Sequence, residues 1–359
     1  MSSLKNWVLS PEMPCIRLMD GGVSTHLENL LQAQDPPKSF EHRSLWSSSL
    51  LMTPSGQDTI LQGHKDWLAA GSDILTTVTY QCKFGTYGED LSIVTPAEMT
   101  SMMKKGIMLG QQAVDELSKD SFQEQKRFVV ASSGCYGAAL ADGSEYTGNY
   151  PNIQMEGLVE FHQKKGKVFL DCDPDGLAIE TIPSVEECTA ACRALRSLGS
   201  ETACGWVSLA CKDGETLNEG TPFVNALKAI REVDPEAKYV QAIGINCCDS
   251  AHIGSLLELL TRHMAREGPR RGIVVYPNSG EEWDAANEAW REGTGCTDAD
   301  KFSDRLLEAV DIIQRTWKDE GQSGSTMPRL IIGGCCRTSP GTIAALRQRI
   351  DEWHTKNKL

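Results

Sequence analysis

The stretch RLIIGGCC, residues 329–336, decides the fold of this chain. It reads as a short buried strand that reaches two glycines and two adjacent cysteines, and Ser339-Pro340 then resembles the start of a helix. Similar apolar, β-branched segments recur along the chain with helical periodicity between them. There are eight such segments, at 15–22, 73–80, 128–134, 177–183, 205–211, 240–248, 272–280 and 329–336. This alternation predicts an α/β fold, a single (β/α)8 TIM barrel spanning residues 1–359.

Two connections of the predicted barrel are long, at residues 23–72 and 281–328. We predict long loops there, which in a barrel often carry function or form an interface, so a homo-oligomer is possible. A doubly wound sheet is the alternative fold, but no strand segment leads into a G-x-G-x-x-G turn.

The composition is that of a soluble globular protein, with 40% apolar and 23% charged residues among 359. The formal net charge of −14 argues against nucleic acid or an anionic membrane as a partner, because phosphate binding requires a basic surface. No apolar run has the length of a membrane span, and residues 1–10 lack the apolar core of a signal peptide. We therefore expect a cytoplasmic protein.

Polar and sulfur-bearing residues cluster where the predicted strands end. The carboxyl ends of all strands of a (β/α)8 barrel form one rim, on which active sites are built, so residues distant in sequence converge there. The residues at these ends are Asp20, Thr77, Thr79, Tyr80, Glu180, Thr181, Cys247, Cys248, Asn278, Cys335 and Cys336.

The chain has 13 cysteines, an odd number that rules out complete pairing in disulfides. Most of them suit core packing, as Cys188 and Cys192 do on one helical face. One thiolate from GINCC (244–248) and two from GGCC (333–336) form a plausible Zn²⁺ ligand set with a fourth position open. The alternative is that Cys335 and Cys336 are one buried apolar residue and one free surface thiol.

A site of this kind suits a thiol substrate, because zinc favours the thiolate and so supplies a sulfur nucleophile at neutral pH. Asp20 or Glu180 could hold a substrate ammonium group. Glu180 could equally be a buried carboxylate paired with a lysine or arginine, and Asp20 a turn residue. Gly21 and Gly22 either bring backbone N–H groups to a substrate carboxylate or form a tight turn.

Six motifs resemble the homocysteine S-methyltransferases, in the order typical of that family. The resemblance runs from about residue 15 to the end of the chain, and YGAALADGSEYTGNY (136–150) is similar to the short members that use S-methylmethionine or S-adenosylmethionine. The motifs are LMDGGVSTHLE (18–28), TTVTYQ (76–81), ETIPS (180–184), GINCC (244–248), YPNSGEEWD (276–284) and IIGGCCRTSP (331–340).

The resemblance implies a zinc-dependent methyltransferase that methylates L-homocysteine to methionine. One Zn²⁺ per chain would be held by Cys247, Cys335 and Cys336, with the homocysteine sulfur as the fourth ligand. Asp20 and Glu180 are the expected catalytic pair, holding the substrate amine. Further contacts with the substrate are expected from Thr77, Gly21, Gly22 and Asn278. The methyl donor would be S-methylmethionine or S-adenosylmethionine.

Some residues near the motifs depart from this pattern or lack a role. In a related betaine-dependent branch a tyrosine follows the rim glutamate and can bind the metal, whereas this chain has Thr181. Cys248 is interpreted as a packing residue. Tyr80, Tyr136 and Trp46 are candidates for cation–π contacts with the donor, and packing is the preferred reading for Trp46.

The alternative function is a non-catalytic zinc- or redox-sensing barrel protein, because adjacent rim thiolates can oxidise reversibly. That function requires neither Asp20 nor Glu180.

Overall fold

The computed structural model describes residues 3–10, 15–42, 44–85, 94–120, 126–199, 203–281, 283–284, 289–290, 293–322 and 327–356. Ten strands lie in these ranges: β1 Ile16–Leu18, β2 Ile74–Thr76, β3 Phe128–Gly134, β4 Gly176–Ile182, β5 Cys204–Leu209, β6 Ala242–Asp249, β7 Gly272–Asn278, β8 Trp283–Asp284, β9 Ala289–Trp290 and β10 Leu330–Ile332.

The α-helices alternate with the strands. They are α1 Leu4–Leu9, α2 Val23–Gln32, α3 Pro54–Ala69, α4 Pro96–Asp120, α5 Tyr136–Leu140, α6 Met155–Leu170, α7 Val185–Leu198, α8 Phe223–Val233, α9 Ile253–Glu267, α10 Ala299–Asp319 and α11 Pro340–Lys356. Short 3₁₀ helices cover Trp46–Met52, Ser144–Tyr146 and Ser250–His252.

Eight parallel strands form one sheet in the order β1-β10-β7-β6-β5-β4-β3-β2. A parallel bridge between Met19 and Ile74 joins its two edges, and Asp20 N–H donates to the Ile74 carbonyl at 3.0 Å. The sheet is thereby closed, which confirms the predicted (β/α)8 TIM barrel and excludes a doubly wound sheet. Strands β8 and β9 pair with each other, antiparallel.

The helix α11 begins as its sequence predicts. A serine at the N-cap stabilises a helix start, and proline is favoured at the first helical position. Here the Ser339 hydroxyl accepts a hydrogen bond from Thr342 N–H at 3.3 Å. Pro340 is the first helical residue. The cysteines predicted to pack in the core do so, since Cys188 and Cys192 are both fully buried in α7.

Alternation of side chains along the strands divides the barrel interior into an apolar and a polar layer. The apolar layer includes Ala178, Trp206 and Val274, and helix α1 packs on it through Leu4 and Trp7. Residues two positions further along the same strands also face inward, at the carboxyl end. They are Glu180, Ser208 and Tyr276, all buried.

The two connections predicted as long loops both contain regular structure. Helices α2 and α3 lie within residues 23–72, and α10 lies within 281–328. The prediction of loops was wrong there because amphipathic helices belonging to the barrel were counted with the connections. No helix in the described parts of the chain is both long and apolar enough to cross a membrane.

Candidate active site

A cavity of about 290 Å³ opens at the carboxyl ends of the barrel strands. Both carboxylates and all three thiols of the predicted site line it. Its lining consists of Met19, Asp20, Gly21, Gly22, Val23, Ser24, Thr25, Trp46, Ser47, Thr76, Thr77, Val78, Tyr80, Gln81, Ser132, Glu145, Tyr146, Glu180, Thr181, Asn246, Cys247, Tyr276, Gly334, Cys335 and Cys336.

Glu180 lies in the wall of this cavity and is 6% exposed. Its side chain points into the barrel, because residues two positions apart on a strand share a face and Ala178, two residues earlier in β4, belongs to the interior cluster. The Ser132 hydroxyl donates a hydrogen bond to Oε1 of Glu180. Burial raises the pKa of Glu180, and the hydrogen bond from Ser132 partly opposes that rise.

Asp20 is fully buried at the end of β1. The Thr76 backbone N–H donates to its Oδ2 at 2.6 Å, and the Thr76 hydroxyl donates to Oδ1 at 3.0 Å. Burial raises the pKa of Asp20 well above its ordinary value, and the negative charge of Glu180 raises it further. Two partly desolvated carboxylates therefore share the cavity and favour a cationic ligand group.

The thiols of Cys247, Cys335 and Cys336 form one cluster, with all three sulfurs within 4.8 Å of one another. The Cys247 and Cys335 sulfurs are 2.9 Å apart, and those of Cys335 and Cys336 are 4.0 Å apart. Hydrogen bonds from the other two thiols lower the pKa of Cys336 well below its ordinary value. The three sulfurs are therefore close enough together to hold one common ion.

Backbone irregularities bring these sulfurs together. The pairing of β6 with β7 shifts register between Asn246 and Asp249, and Cys247 has a φ of 51° at that bulge. The Cys335 N–H donates to the Pro277 carbonyl at 2.7 Å, which fixes the turn after β10 to the end of β7. Thiols from the ends of two strands therefore meet at one point.

The glycines before Cys335 permit a close approach, as predicted for GGCC. A Cβ on Gly334 would lie 2.2 Å from the Thr338 hydroxyl oxygen, and one on Gly333 would lie 2.6 Å from the Asp20 carbonyl. Neither position has room for a side chain, so the turn carrying the two cysteines packs directly against the end of β1.

Three thiol sulfurs in this arrangement fit a tetrahedral metal ion. Sulfurs bound to Zn²⁺ at about 2.3 Å are about 3.8 Å apart, close to the 4.0 Å between Cys335 and Cys336. The Cys247 and Cys335 sulfurs are 2.9 Å apart and would separate by about 0.9 Å to bind the same ion. The cavity continues past the cluster, which leaves a fourth position accessible to a ligand. The described residues hold no other cluster of three or more ligand side chains of this kind.

Three of the other residues predicted to contact substrate line the cavity, and two of them are engaged in hydrogen bonds within the protein. Thr77 lines the cavity, but its hydroxyl is bonded to that of Thr79 at 2.7 Å and accepts from Ser132 N–H. Gly22 lines the cavity too, while its N–H donates to the Thr338 hydroxyl at 2.9 Å, so it serves the turn. Gly21 borders the same cavity.

Asn278 is not among the cavity-lining residues. Its side-chain oxygen accepts from Gly280 N–H at 3.0 Å, as in a turn after a strand. The backbone on either side of it, at Pro277 and Ser279, binds the backbone of the two cysteines. The structure thus places this stretch behind the thiols, where it supports them.

The structure also locates Cys248 and the three aromatic residues considered for contacts with the methyl donor. Cys248 is buried in the core, consistent with packing, and burial raises its pKa to about 12. Tyr80 and Trp46 border the cavity, whereas Tyr136 is outside its lining and packs edge-on against Tyr150. Trp46 also packs edge-on against Phe40, in keeping with the preferred packing interpretation.

Sequence patterns did not single out several cavity residues that hold the site together. Ser132 and Thr76 bind the two carboxylates, and Asn246 Oδ1 accepts from Thr181 N–H at 2.9 Å. The strand period could have indicated Ser132, because Val130, two residues earlier, is an interior residue. The motif at 136–150 contributes Glu145 and Tyr146, to which no role had been assigned.

Comparison with known proteins decides the family. The family model for homocysteine S-methyltransferase matches residues 17–350. Homocysteine S-methyltransferase YbgG of Bacillus subtilis is 34% identical over 344 residues, covering 94% of this chain and 93% of its own. The chain belongs to the homocysteine S-methyltransferase family. Homocysteine S-methyltransferase 1 of Arabidopsis thaliana is likewise 34% identical, over 337 residues and 92% and 91% of the two chains.

Solved structures of homocysteine S-methyltransferases share this fold. The oxidized form of the homocysteine methyltransferase MmuM from Escherichia coli superposes with a TM-score of 0.71 at 29% identity, over 94% of this chain and 96% of that one. The metallated form of MmuM gives a TM-score of 0.69 at 28% identity with the same coverage. The enzyme class expected from the motifs is confirmed.

Proposed function

We propose that this protein transfers a methyl group from a sulfonium donor to L-homocysteine and forms methionine. The observation that carries the proposal is the meeting of three thiols and two buried carboxylates in one cavity. A thiol amino acid has a sulfur for the first group and an ammonium for the second.

Binding of homocysteine would place its ammonium group near Asp20 and Glu180. Both carboxylates are desolvated and held by donors on the barrel wall, so they are oriented before the ligand arrives. Thr77 and Gly21 lie along the same wall and would limit the position of the amino-acid end. The substrate sulfur is then directed to the thiol cluster.

Cys247, Cys335 and Cys336 would hold Zn²⁺, for which soft sulfur ligands are selective. When bound, the ion lowers the pKa of the substrate thiol and so makes a thiolate available at neutral pH. The described residues thereby need no separate protein base for the thiol proton, which goes to solvent.

The methyl transfer is a single in-line displacement. A lone pair of the homocysteine sulfur forms the new S–CH₃ bond as the bond from that methyl to the donor sulfur breaks. The electron pair of the broken bond stays on the donor sulfur, which changes from a sulfonium cation to a neutral thioether. With S-methylmethionine as donor both products are methionine, and with S-adenosylmethionine the second product is S-adenosylhomocysteine.

The test measures metal content and turnover in the same preparations. Protein purified under reducing conditions is expected to contain one zinc per chain and to methylate homocysteine with S-methylmethionine, S-adenosylmethionine or both. Replacement of Cys336 by serine (Cys336→Ser) should abolish metal binding and activity, because a tetrahedral site loses a strong ligand.

Cys248→Ser is the matched control, since it removes a neighbouring thiol that points into the core. It should retain zinc and most of the activity. Metal-free wild-type protein that turns over neither donor would refute the proposal, as would loss of zinc from Cys248→Ser with retention in Cys247→Ser.

The alternative of a zinc- or redox-sensing barrel protein makes a different prediction. A sensor needs the thiols but has no use for two buried carboxylates aimed at the same cavity. Retention of metal with loss of turnover in Glu180→Gln supports the enzyme, and the family membership of the chain agrees with it.

A further inference from the structure

The mouth of the cavity contains a third carboxylate, separate from the pair on its wall. Glu145 lies in the 3₁₀ helix Ser144–Tyr146 and borders the cavity together with Tyr146. Its Oε2 is buried and accepts no hydrogen bond within the described structure. A buried carboxylate oxygen without a donor is costly, and a cationic ligand group bound at this edge of the cavity would offset that cost.

The backbone of Glu145 is fixed in place by two neighbouring elements. The Asn218 side-chain amide donates to the Glu145 carbonyl at 3.1 Å. Gly137 of α5 packs directly beneath, since a Cβ there would lie 2.4 Å from the Glu145 nitrogen. The Ser144 N–H also donates to Asp142 at 2.9 Å, which closes the preceding turn. A supported turn therefore fixes the backbone of Glu145 at the edge of the cavity.

Glu145 has a different charged neighbour from Asp20 and Glu180, the inner pair of carboxylates. Besides burial, the charge that raises the pKa of Glu145 is that of Asp142, whereas Glu180 acts on Asp20. Asp20 and Glu180 are almost wholly buried, while Tyr146 beside Glu145 is 68% exposed. The cavity thus has one anionic position on its inner wall and another at its entrance.

A methyl transfer between two amino acids requires two such positions. Homocysteine and S-methylmethionine each carry an α-ammonium group, and both must be present in the cavity for an in-line displacement. The inner pair accounts for one ammonium group. The three thiols line the same cavity as Glu145 and Tyr146. A donor held at the entrance could therefore direct its sulfonium toward the reacting sulfur.

We propose that Glu145 binds the α-ammonium group of the methyl donor. The inference rests on the proposed function and deepens it, because it makes Glu145 a specificity residue for donors that are amino acids. Simple sulfonium compounds without an ammonium group gain nothing from this carboxylate. Homocysteine, held by Asp20 and Glu180, is bound independently of it.

The test compares S-methylmethionine with its deamino analogue, (3-carboxypropyl)dimethylsulfonium, in wild type, Glu145→Gln and Glu145→Asp. Donor affinity is measured by calorimetry, and KM for donor and for homocysteine is measured by turnover. Glu145→Gln should weaken S-methylmethionine ~10- to 100-fold, the loss of one charge-assisted hydrogen bond. The deamino analogue and the homocysteine KM should be unchanged, and Glu145→Asp should recover part of the affinity.

Glu186→Gln is the control, because it removes an exposed carboxylate on α7 that does not line the cavity. Equal weakening of both donors, no weakening of S-methylmethionine, or a raised homocysteine KM would overturn the role of Glu145. Wild-type protein that binds S-methylmethionine but methylates homocysteine with neither S-methylmethionine nor S-adenosylmethionine refutes the proposed function, and the calorimetric comparison still decides the role of Glu145. Wild-type protein that binds neither S-methylmethionine nor S-adenosylmethionine overturns both proposals.

Discussion

Glu180 illustrates at the scale of one residue how binding and stability oppose each other. Its carboxylate is buried, and its described hydrogen-bond partners are the uncharged hydroxyls of Ser132 and Tyr276. The charge of Lys165 lowers the pKa of Glu180, but the two side chains form no ion pair in the described structure. The charged form is therefore desolvated without a counter-ion in contact, a condition that a substrate ammonium group relieves. Asp20 is in the same situation, with Thr76 as its partner.

We expect Glu180→Gln to lower kcat/KM for homocysteine by about 10- to 100-fold while raising the stability of the substrate-free protein. Because the pKa of Glu180 is raised on folding, its contribution to stability is fully present below the unfolded-state pKa. That contribution is lost as pH rises through the folded-state pKa. The unfolding free energy of Glu180→Gln relative to wild type should therefore increase as pH rises from the unfolded-state pKa to the folded-state pKa of Glu180. The total increase is about 1.4 kcal/mol for each unit by which the two pKa values differ.

The measurement is thermal unfolding of both proteins across that pH range, with bound zinc determined in parallel. A constant stability difference at all pH values would contradict the prediction, and so would a variant less stable than wild type at neutral pH. Retention of zinc by the variant separates the role of Glu180 from that of the thiols.

At the scale of elements, the site depends on how β10 ends. A regular strand would point Cys335 and Cys336 to opposite faces of the sheet. The chain instead leaves the strand at Ile332, and Gly333 and Gly334 let the turn lie against β1. At the bulge in β6, the positive φ of Cys247 likewise takes the backbone out of regular strand geometry.

Gly334→Ala should lower zinc content and activity, because the new Cβ overlaps the Thr338 side chain and distorts the turn that carries Cys335 and Cys336. We expect a loss of about 1–3 kcal/mol in unfolding free energy along with the loss of metal. Gly341→Ala is the matched control in α11, where a Cβ would meet its nearest atom, the Ser339 hydroxyl oxygen, at 3.5 Å. Zinc analysis and urea unfolding of both variants test this, and equal behaviour would contradict the role given to Gly334.

At the scale of the whole molecule, stability and chemistry occupy opposite ends of the barrel. Helix α1 lies at the amino ends of the strands, since a Cβ on Gly176 or Gly272, the first residues of β4 and β7, would meet its side chains. Trp7 of this helix is 6% exposed, and the Arg17 guanidinium stacks over its ring at 5.1 Å. The cavity is at the carboxyl ends.

Trp7→Ala should therefore destabilise the protein by about 3–5 kcal/mol without changing KM for homocysteine. Leu9→Ala, in the same helix at a residue 42% exposed, should change stability by no more than about 0.5 kcal/mol. Urea unfolding and steady-state kinetics of the two variants provide the check. A raised KM in folded Trp7→Ala protein would show that the two ends are coupled.

Much of this molecule follows from local sequence pattern. Eight apolar segments alternating with amphipathic ones require a parallel sheet covered by helices, and the polar residues at the strand ends must then share one rim. The family motifs predicted the three thiols as metal ligands and the two carboxylates as the groups that hold the substrate amine. For these features the information is local, because it depends on strand period, helix period and residue type.

The tertiary structure alone decided which of the rim residues meet. Whether Thr76 or Thr77 binds Asp20, and whether the side chain of Asn278 enters the cavity or caps a turn, depends on strand register and on bulges between distant strands. The unpartnered oxygen of Glu145 likewise becomes visible only when a turn after β3 is placed against the loop that carries Asn218. Sequence specifies the elements through short-range periodicity, whereas contacts across the barrel depend on packing among residues far apart in the chain.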